Sequence, residues 1–441
     1  MEKSQSTLSA TRLLASGAVA AWLLTSERLA AMNAQTYVLI LVAFVLLLFV
    51  LLSKSLYDRL AWTLAFQPFG LQQVPIGGIY ICLTDIMLVF LLLEASLAPR
   101  LRNQKLSPAG VLAAGILVAM CISVVLSPVM LNILGSAVRY AILLLLFVVL
   151  DRVEFDIEAL ATIRYGLAAG FPMAIILFYF NGDLLNIMSN VETGDRPLHS
   201  QTLPFLCTLV FPWYLLAHRR AVPLFLLSSL YAIITWVGRS RALIVMAFVT
   251  LLIVIFVKSK RNLLALSISV AVTVAGLVAA QSTVGIENVA DVMGAKGESD
   301  EWRLYKMQLS MQMFREYPII GMGPGSEFAA TKRRQGEPLV SENGLIQSLA
   351  DSGLVGTGLL LAMVLCLVGQ WYKLGKRGTI RRDFAGALMI ILVAAIAPLS
   401  FGSGVEGGAL WLLLAVANKH VRWAQTEPLI QVGSVVQGVA S

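Results

Sequence analysis

Apolar residues run in long blocks separated by short polar connections, and the blocks are too uniformly apolar to be the buried faces of a soluble protein. A helix needs about 20 such residues, with about 17 as the lower end, to cross the hydrocarbon core of a bilayer. Blocks of this kind lie at Thr36–Leu52, Ile79–Leu97, Ala109–Leu126, Ile133–Leu150, Ala161–Phe180, Thr202–Ala217, Val222–Val237, Ala242–Val257, Leu263–Ala280, Gly353–Trp371, Phe384–Phe401 and Gly408–Asn418, the last beginning earlier, near Val405. The pattern predicts an all-α, polytopic integral membrane protein of about 12 transmembrane helices. A shorter block, Leu13–Leu24, reads as an interfacial or tilted extra helix. With no small-residue cleavage site, it does not read as a removable signal peptide.

One connection is long, from Gln281 to Ser352. Trp302, Tyr305, Leu309 and Met313, with Leu304, Met307, Met311 and Phe314 beside them, follow a helical spacing that Pro318 stops. This predicts an amphipathic helix lying at the membrane surface. Gly321-Met322-Gly323-Pro324-Gly325 then predicts a sharp turn, either a connector between helices or a set of backbone N–H groups lining a polar site. The chain thus divides into an N-terminal cytoplasmic, interfacial or extra-helix segment (1–35), nine helices (36–280), the long extracytoplasmic loop (281–352), three helices (353–418) and a cytoplasmic tail (419–441).

Composition agrees: the 441 residues are 58% hydrophobic and only 13% charged, against roughly 25% charged for soluble domains. The net charge of +8 is mostly an orientation signal. If Thr36 starts on the cytoplasmic side, the cytoplasmic connections and tail carry 17 lysines and arginines, Arg100, Lys105, Arg152, Lys419 and Arg422 among them. The short outer connections carry five: Lys54, Arg59, Arg196, Arg239 and Arg241. Seven more lie in the long loop, where the positive-inside rule gives them little weight. A nucleic-acid footprint is therefore not indicated. Cys82, Cys121, Cys207 and Cys366 all fall in predicted spans, as packing residues, which excludes a disulfide framework in the exported loops.

The outer arginines are the candidate chemistry. Arg239 and Arg241 flank Ser240 in a connection so short that both sit at the membrane boundary. They either snorkel to headgroups or pair with a loop carboxylate, or they bind a phosphate, which matches the guanidinium fork. Arg196 stands beside Asp195, just before the sixth span, and those two can simply pair. Arg139 lies within the fourth span near its outer end, with Asp85 at similar depth as its partner, so a structural ion pair is expected. Glu342, followed by Asn343, enters the tenth span, where a carboxylate stabilises a helix dipole or serves as a general base. His199 is the rival base on the same face, and His218 and His420 fall on the cytoplasmic side, too scattered for a metal site.

The segment Arg303–Gly325, then Glu342-Asn343-Gly344-Leu345 and Asp351-Ser352-Gly353-Leu354-Val355-Gly356, resembles the O-antigen ligase and O-antigen polymerase superfamily, as does Gly238-Arg239-Ser240-Arg241. The resemblance implies transfer of a glycan from an undecaprenyl-diphosphate carrier to an acceptor hydroxyl at the periplasmic face of the bacterial inner membrane, metal-independent, cofactor-free and inverting. It implies that Arg196 and Arg241, with Arg239 as second choice, hold the diphosphate; the candidate base beside them is Glu342, with Asn343, His199, Arg303, Arg139 and Asp85 as supporting candidates. Its partners would be the lipid-linked glycan, an acceptor glycan or lipid A-core, membrane lipids, and chain-length regulators or export proteins. The family's ligases usually carry His then Asn where this chain has Glu342-Asn343, which leans toward a polymerase of repeat units over a ligase. A flippase would line a cavity reaching the inner face, whereas the unexplained charges cluster on one side; a purely structural subunit of an export system would need none of them.

Overall fold

The computed structural model describes residues 10–25, 34–51, 55–67, 73–76, 79–97, 105–153, 297–335, 344–376 and 405–426, with single positions at 53, 69, 162, 163, 166, 169, 170, 172, 173 and 176. The described elements in chain order are α1 (Ala10–Thr25), α2 (Ala34–Leu51), α3 (Leu56–Ala65), β1 (Gln73–Ile76), β2 (Ile79–Cys82), α4 (Leu83–Leu97), α5 (Pro108–Leu126), α6 (Met130–Leu150), α7 (Gly297–Glu316), α8 (Ser326–Gln335), α9 (Gly344–Lys376) and α10 (Val405–Thr426). Among the described residues, α5, α6 and the Gly344–Gln370 part of α9 are long and apolar enough to cross a membrane. The expected spans from Thr202 to Ala280 and at Phe384–Phe401 lie outside the described residues.

The expectation of an all-α chain needs one correction. Residues 79–82, read as the first turn of a span, form a strand paired antiparallel with β1, Ile76 opposite Ile79 and Pro75 opposite Tyr80. Alternating Val74, Ile76, Ile79 and Ile81 about Gly77-Gly78 favours a two-residue hairpin over a helix, and among the described residues the sheet has two strands, so Pro75 stands on an edge strand, where proline is tolerated. The helix begins only at Leu83, where Asp85 Oδ2 accepts from Cys82 N at 3.0 Å. That is the reach-back contact of a capping box.

A second correction concerns direction. Arg59, on α3, donates from Nε to Phe49 O (3.3 Å) and Ser53 Oγ (2.9 Å) at the end of α2, and pairs with Glu94 near the end of α4. The two helix ends therefore lie together, and α2 and α4 run in the same direction rather than as successive opposite crossings. Only that arrangement puts Leu83, Ile86 and Met87 of α4 in one core with Tyr37, Leu41 and Phe44 of α2. The chain returns between them through α3 and Phe69. Phe66 meets Phe44 edge-on at 6.3 Å and Phe69 at 5.2 Å, and Trp62, Phe66 and Phe69 are fully buried. Asp58, Arg59, Gln67 and Pro68 dilute this segment below the hydropathy of a span. Arg59 thereby lies at the bundle end that holds the end of α4. The N-terminal helix α1 packs into the same core through Ala20, Ala21 and Leu23, and Tyr37 Oη donates to Leu23 O at 2.9 Å.

The larger core joins α5, α6, α9 and α10, with Met120, Leu144, Phe147, Met363 and Trp411 at its centre. Trp411 meets Tyr140 and Phe147 edge-on at 5.9 and 6.0 Å. Helix α5 starts where it does because Ser107 accepts from Gly110 N at 3.0 Å and Pro108 occupies the first turn.

At that end of the bundle sits a polar hub absent from the sequence reading. Asp151 is fully buried, and its carboxylate accepts from Ser107 N (2.7 Å), Asn418 Nδ2 (2.7 Å) and Arg422 Nη1 (3.0 Å). Its carbonyl accepts from Lys419 Nζ at 2.9 Å and Arg422 Nη1 at 2.5 Å, while Arg422 Nη2 reaches Lys105 O at 2.7 Å. One carboxylate thus ties the ends of α5, α6 and α10 together.

The sidedness is testable by thiol labelling in a background without the four native cysteines. Ser55→Cys and Lys105→Cys, both at exposed positions, should react from one side of the membrane and Ile319→Cys, also exposed, from the other. Labelling of Ser55→Cys together with Ile319→Cys would restore simple alternation of the first spans.

Candidate active site

The end of the bundle opposite the hub is organised around Arg139. From the third turn of α6 it makes a bidentate pair with Asp85, Nε to Oδ1 at 2.7 Å and Nη2 to Oδ2 at 2.6 Å. The structure therefore brings together the two intramembrane charges that the sequence paired. Fork-to-fork geometry suits Arg and carboxylate, and Asp85 also caps its own helix, so the pair fixes the β-hairpin and α4 against α6. Arg139 is committed to this carboxylate.

The glycine-rich turn after α7 resolves into a joint. Helix α9 is broken at Gly353, whose φ of 59° and ψ of −163° lie in a region open essentially to glycine alone. The break frees carbonyls of residues 350 and 351 and amides of residues 354 and 355. Met322 N donates to Ala350 O (2.9 Å) and Gly323 N to Asp351 O (2.8 Å), while Leu354 N and Val355 N donate to Pro318 O (2.9 Å) and Ile319 O (3.0 Å). Irregular backbone inside a span is tolerated where its polar groups are satisfied by protein. The turn's amides at 322 and 323 are thus used up in the joint, which favours the connector over an anion cradle.

The two arms of α9, 344–352 and 354–376, do not continue one another. Nine residues of straight helix rise roughly 13 Å, yet Ser348 Oγ and Thr357 Oγ1 are 3.1 Å apart. The short arm folds back on the long one, and the crossing proper starts after the break rather than at Gly344. Asp351, at the end of the short arm, is buried and accepts from Ser326 Oγ at 3.1 Å and from the amides of Gly325 and Ser326. A protein carboxylate therefore occupies the N-terminus of α8. Ser123 Oγ of α5 donates to Asp351 O at 3.1 Å, tying the break to the bundle.

Of the sequence-predicted site residues, Arg303 stands on the first half of α7, which packs against α9. Met313 of the same helix is buried in the main core. Glu342 and Asn343 immediately precede Gly344, the first residue of the short arm, but themselves lie outside the described residues, as do Arg196, His199, Arg239 and Arg241. Asp151 and Gly353 were missed as organising positions. A glycine between Ser352 and Leu354 was a visible signal for the break, whereas nothing local marks Asp151 as a hub.

Residues 223–361 match the family described as O-antigen ligase. The matched stretch contains Arg239, Arg241, Arg303, Glu342 and the whole Gly321–Gly353 joint, but not Arg196 or His199. No curated protein matches the chain.

Proposed function

We propose, from the match of residues 223–361 to the family described as O-antigen ligase, a membrane glycosyltransferase that moves a glycan from an undecaprenyl-diphosphate carrier to an acceptor sugar hydroxyl at the periplasmic face of a bacterial inner membrane. The observation that carries this reading is that one family-matched stretch holds the Arg239-Ser240-Arg241 segment, the glycine joint and Glu342, two residues before the start of α9. The acceptor oxygen attacks the anomeric carbon from the face opposite the leaving group. As the carbon–oxygen bond to the diphosphate breaks, the charge that develops is held by Arg196 and Arg241, with Arg239 beside them. The hydroxyl proton passes to the Glu342 carboxylate. The product is inverted at the anomeric centre, and no metal is required because the leaving group is already activated and its charge is met by guanidinium.

Polymerisation of repeat units is the preferred form, because Glu342-Asn343 stands where the family's ligases usually carry histidine and asparagine. Ligation to lipid A-core is the second reading, favoured by the description of the matched family. In a deletion strain, single repeat units would support the polymerase, and an unattached polymer would support the ligase.

The anion site is tested by Arg196→Lys and Arg241→Lys, which keep the charge and remove the bidentate fork. Losing a charged hydrogen bond costs roughly 1.5–3 kcal/mol, about ten- to a hundredfold in rate. Normal glycan yield from both variants at normal expression would leave these arginines as headgroup anchors.

A further inference from the structure

We propose that the bundle end organised by Asp151 is a binding site for an acidic phospholipid, whose headgroup phosphate is held between Lys105 and Arg152. The charges at this hub do not balance. Its one described carboxylate, Asp151, is already the acceptor of Ser107, Asn418 and Arg422, while four cations surround it. Arg422 spans the Asp151 carboxylate and the Lys105 carbonyl, and Lys419 is buried with its ammonium on the Asp151 carbonyl. Lys105 and Arg152 are exposed. Neither of these two takes part in an ion pair among the described residues. Of the acids that α3 and α4 bring to the same end, Asp58 is buried and Glu94 is paired with Arg59.

The backbone brings the two exposed cations together. Ser107 N donates to the Asp151 carboxylate at 2.7 Å, with Lys105 two residues before the one and Arg152 directly after the other. Both stand within three residues of the start of α5 at Pro108 or the end of α6 at Leu150, helices long and apolar enough to cross a membrane. That sets them at headgroup depth. Further into the span, Val111 of α5 and Leu145 of α6 are exposed, so acyl chains find apolar surface below the cations. A soluble anion would meet the same charges without that surface. Long basic side chains at the end of a span reach the interface, and basic pockets between helices bind acidic headgroups. A phosphate seated there offsets the mutual repulsion of the cations, and a ligand that binds only the folded bundle stabilises it by mass action.

The experiment places the full-length protein in nanodiscs of phosphatidylcholine with rising fractions of phosphatidylglycerol and reads the thermal midpoint. The wild-type midpoint should rise and then saturate. One basic side chain near an acidic headgroup contributes about fivefold in apparent affinity, so Lys105→Gln and Arg152→Gln should each raise the half-saturating fraction about fivefold and the double variant about thirtyfold. Their midpoints in phosphatidylcholine alone should match the wild type. Lys373→Gln, which removes an exposed cation near the end of α9, should leave the titration unchanged. A wild-type midpoint indifferent to phosphatidylglycerol overturns the proposal, and so does a loss in Lys373→Gln equal to that in Arg152→Gln, which would mean diffuse surface charge. A double variant equally destabilised in both lipids would make Lys105 and Arg152 part of the fold rather than a lipid site. A full shift produced by millimolar inorganic phosphate in phosphatidylcholine discs would make the ligand a soluble anion and would equally overturn the lipid assignment.

Discussion

Glu342→Gln should cut glycan formation by about 10²- to 10⁴-fold, the loss typical of removing a general base, at nearly constant side-chain volume. Binding of the lipid-linked donor should persist, because the amide leaves the arginines in place, and the measurement is therefore kcat together with donor KM. The physical basis is that a diphosphate leaving group needs only its charge held, so the remaining chemical task is proton removal from a sugar hydroxyl. A carboxylate entering a helix is already favoured electrostatically by the helix N-terminus, which is why its ionised form suits that place. A fully active glutamine variant would reduce Glu342 to a helix-end charge and pass the role to His199 or to the leaving diphosphate.

Asp151→Ala should be the most damaging change to stability. The carboxylate is completely buried and is the shared acceptor of Ser107, Asn418 and Arg422, so its removal takes the acceptor from the Ser107 N–H and the counter-charge from Arg422, and leaves Asn418 only its Ser107 contact. Breaking a buried ion pair from one side costs roughly 3–5 kcal/mol. The thermal midpoint of the detergent-purified protein should fall sharply, and α10 should become protease-sensitive. Gly110→Ala should act in the same direction, since its Cβ would run into the Asp151 carboxylate. A wild-type midpoint for Asp151→Ala would show that the bundle end is held by apolar packing around Trp411 alone.

The apolar blocks located α5 and α6 to within three residues, because a helix in lipid must satisfy its backbone within itself and its length is set by bilayer thickness. The same local logic paired Arg139 with Asp85, two charges too costly to leave single in a span. The β-hairpin was also legible, in Ile76-Gly77-Gly78-Ile79, but an apolar window cannot separate four alternating residues from the first turn of a helix.

Chain order and hydropathy were sufficient for the membrane class and for the positions of α5 and α6. They could not show that α2 and α4 run the same way, since the return through α3 carries Asp58, Arg59 and Gln67, and Arg59 meets Phe49 O and Glu94 only once the fold exists. Nor could they reveal Asp151 as a hub, whose partners Asn418 and Arg422 are more than 260 residues away in sequence. The break at Gly353 belongs to both levels. Glycine permits the backbone angle, and the amides and carbonyls of 318–323, brought alongside by tertiary packing, make the broken helix stable.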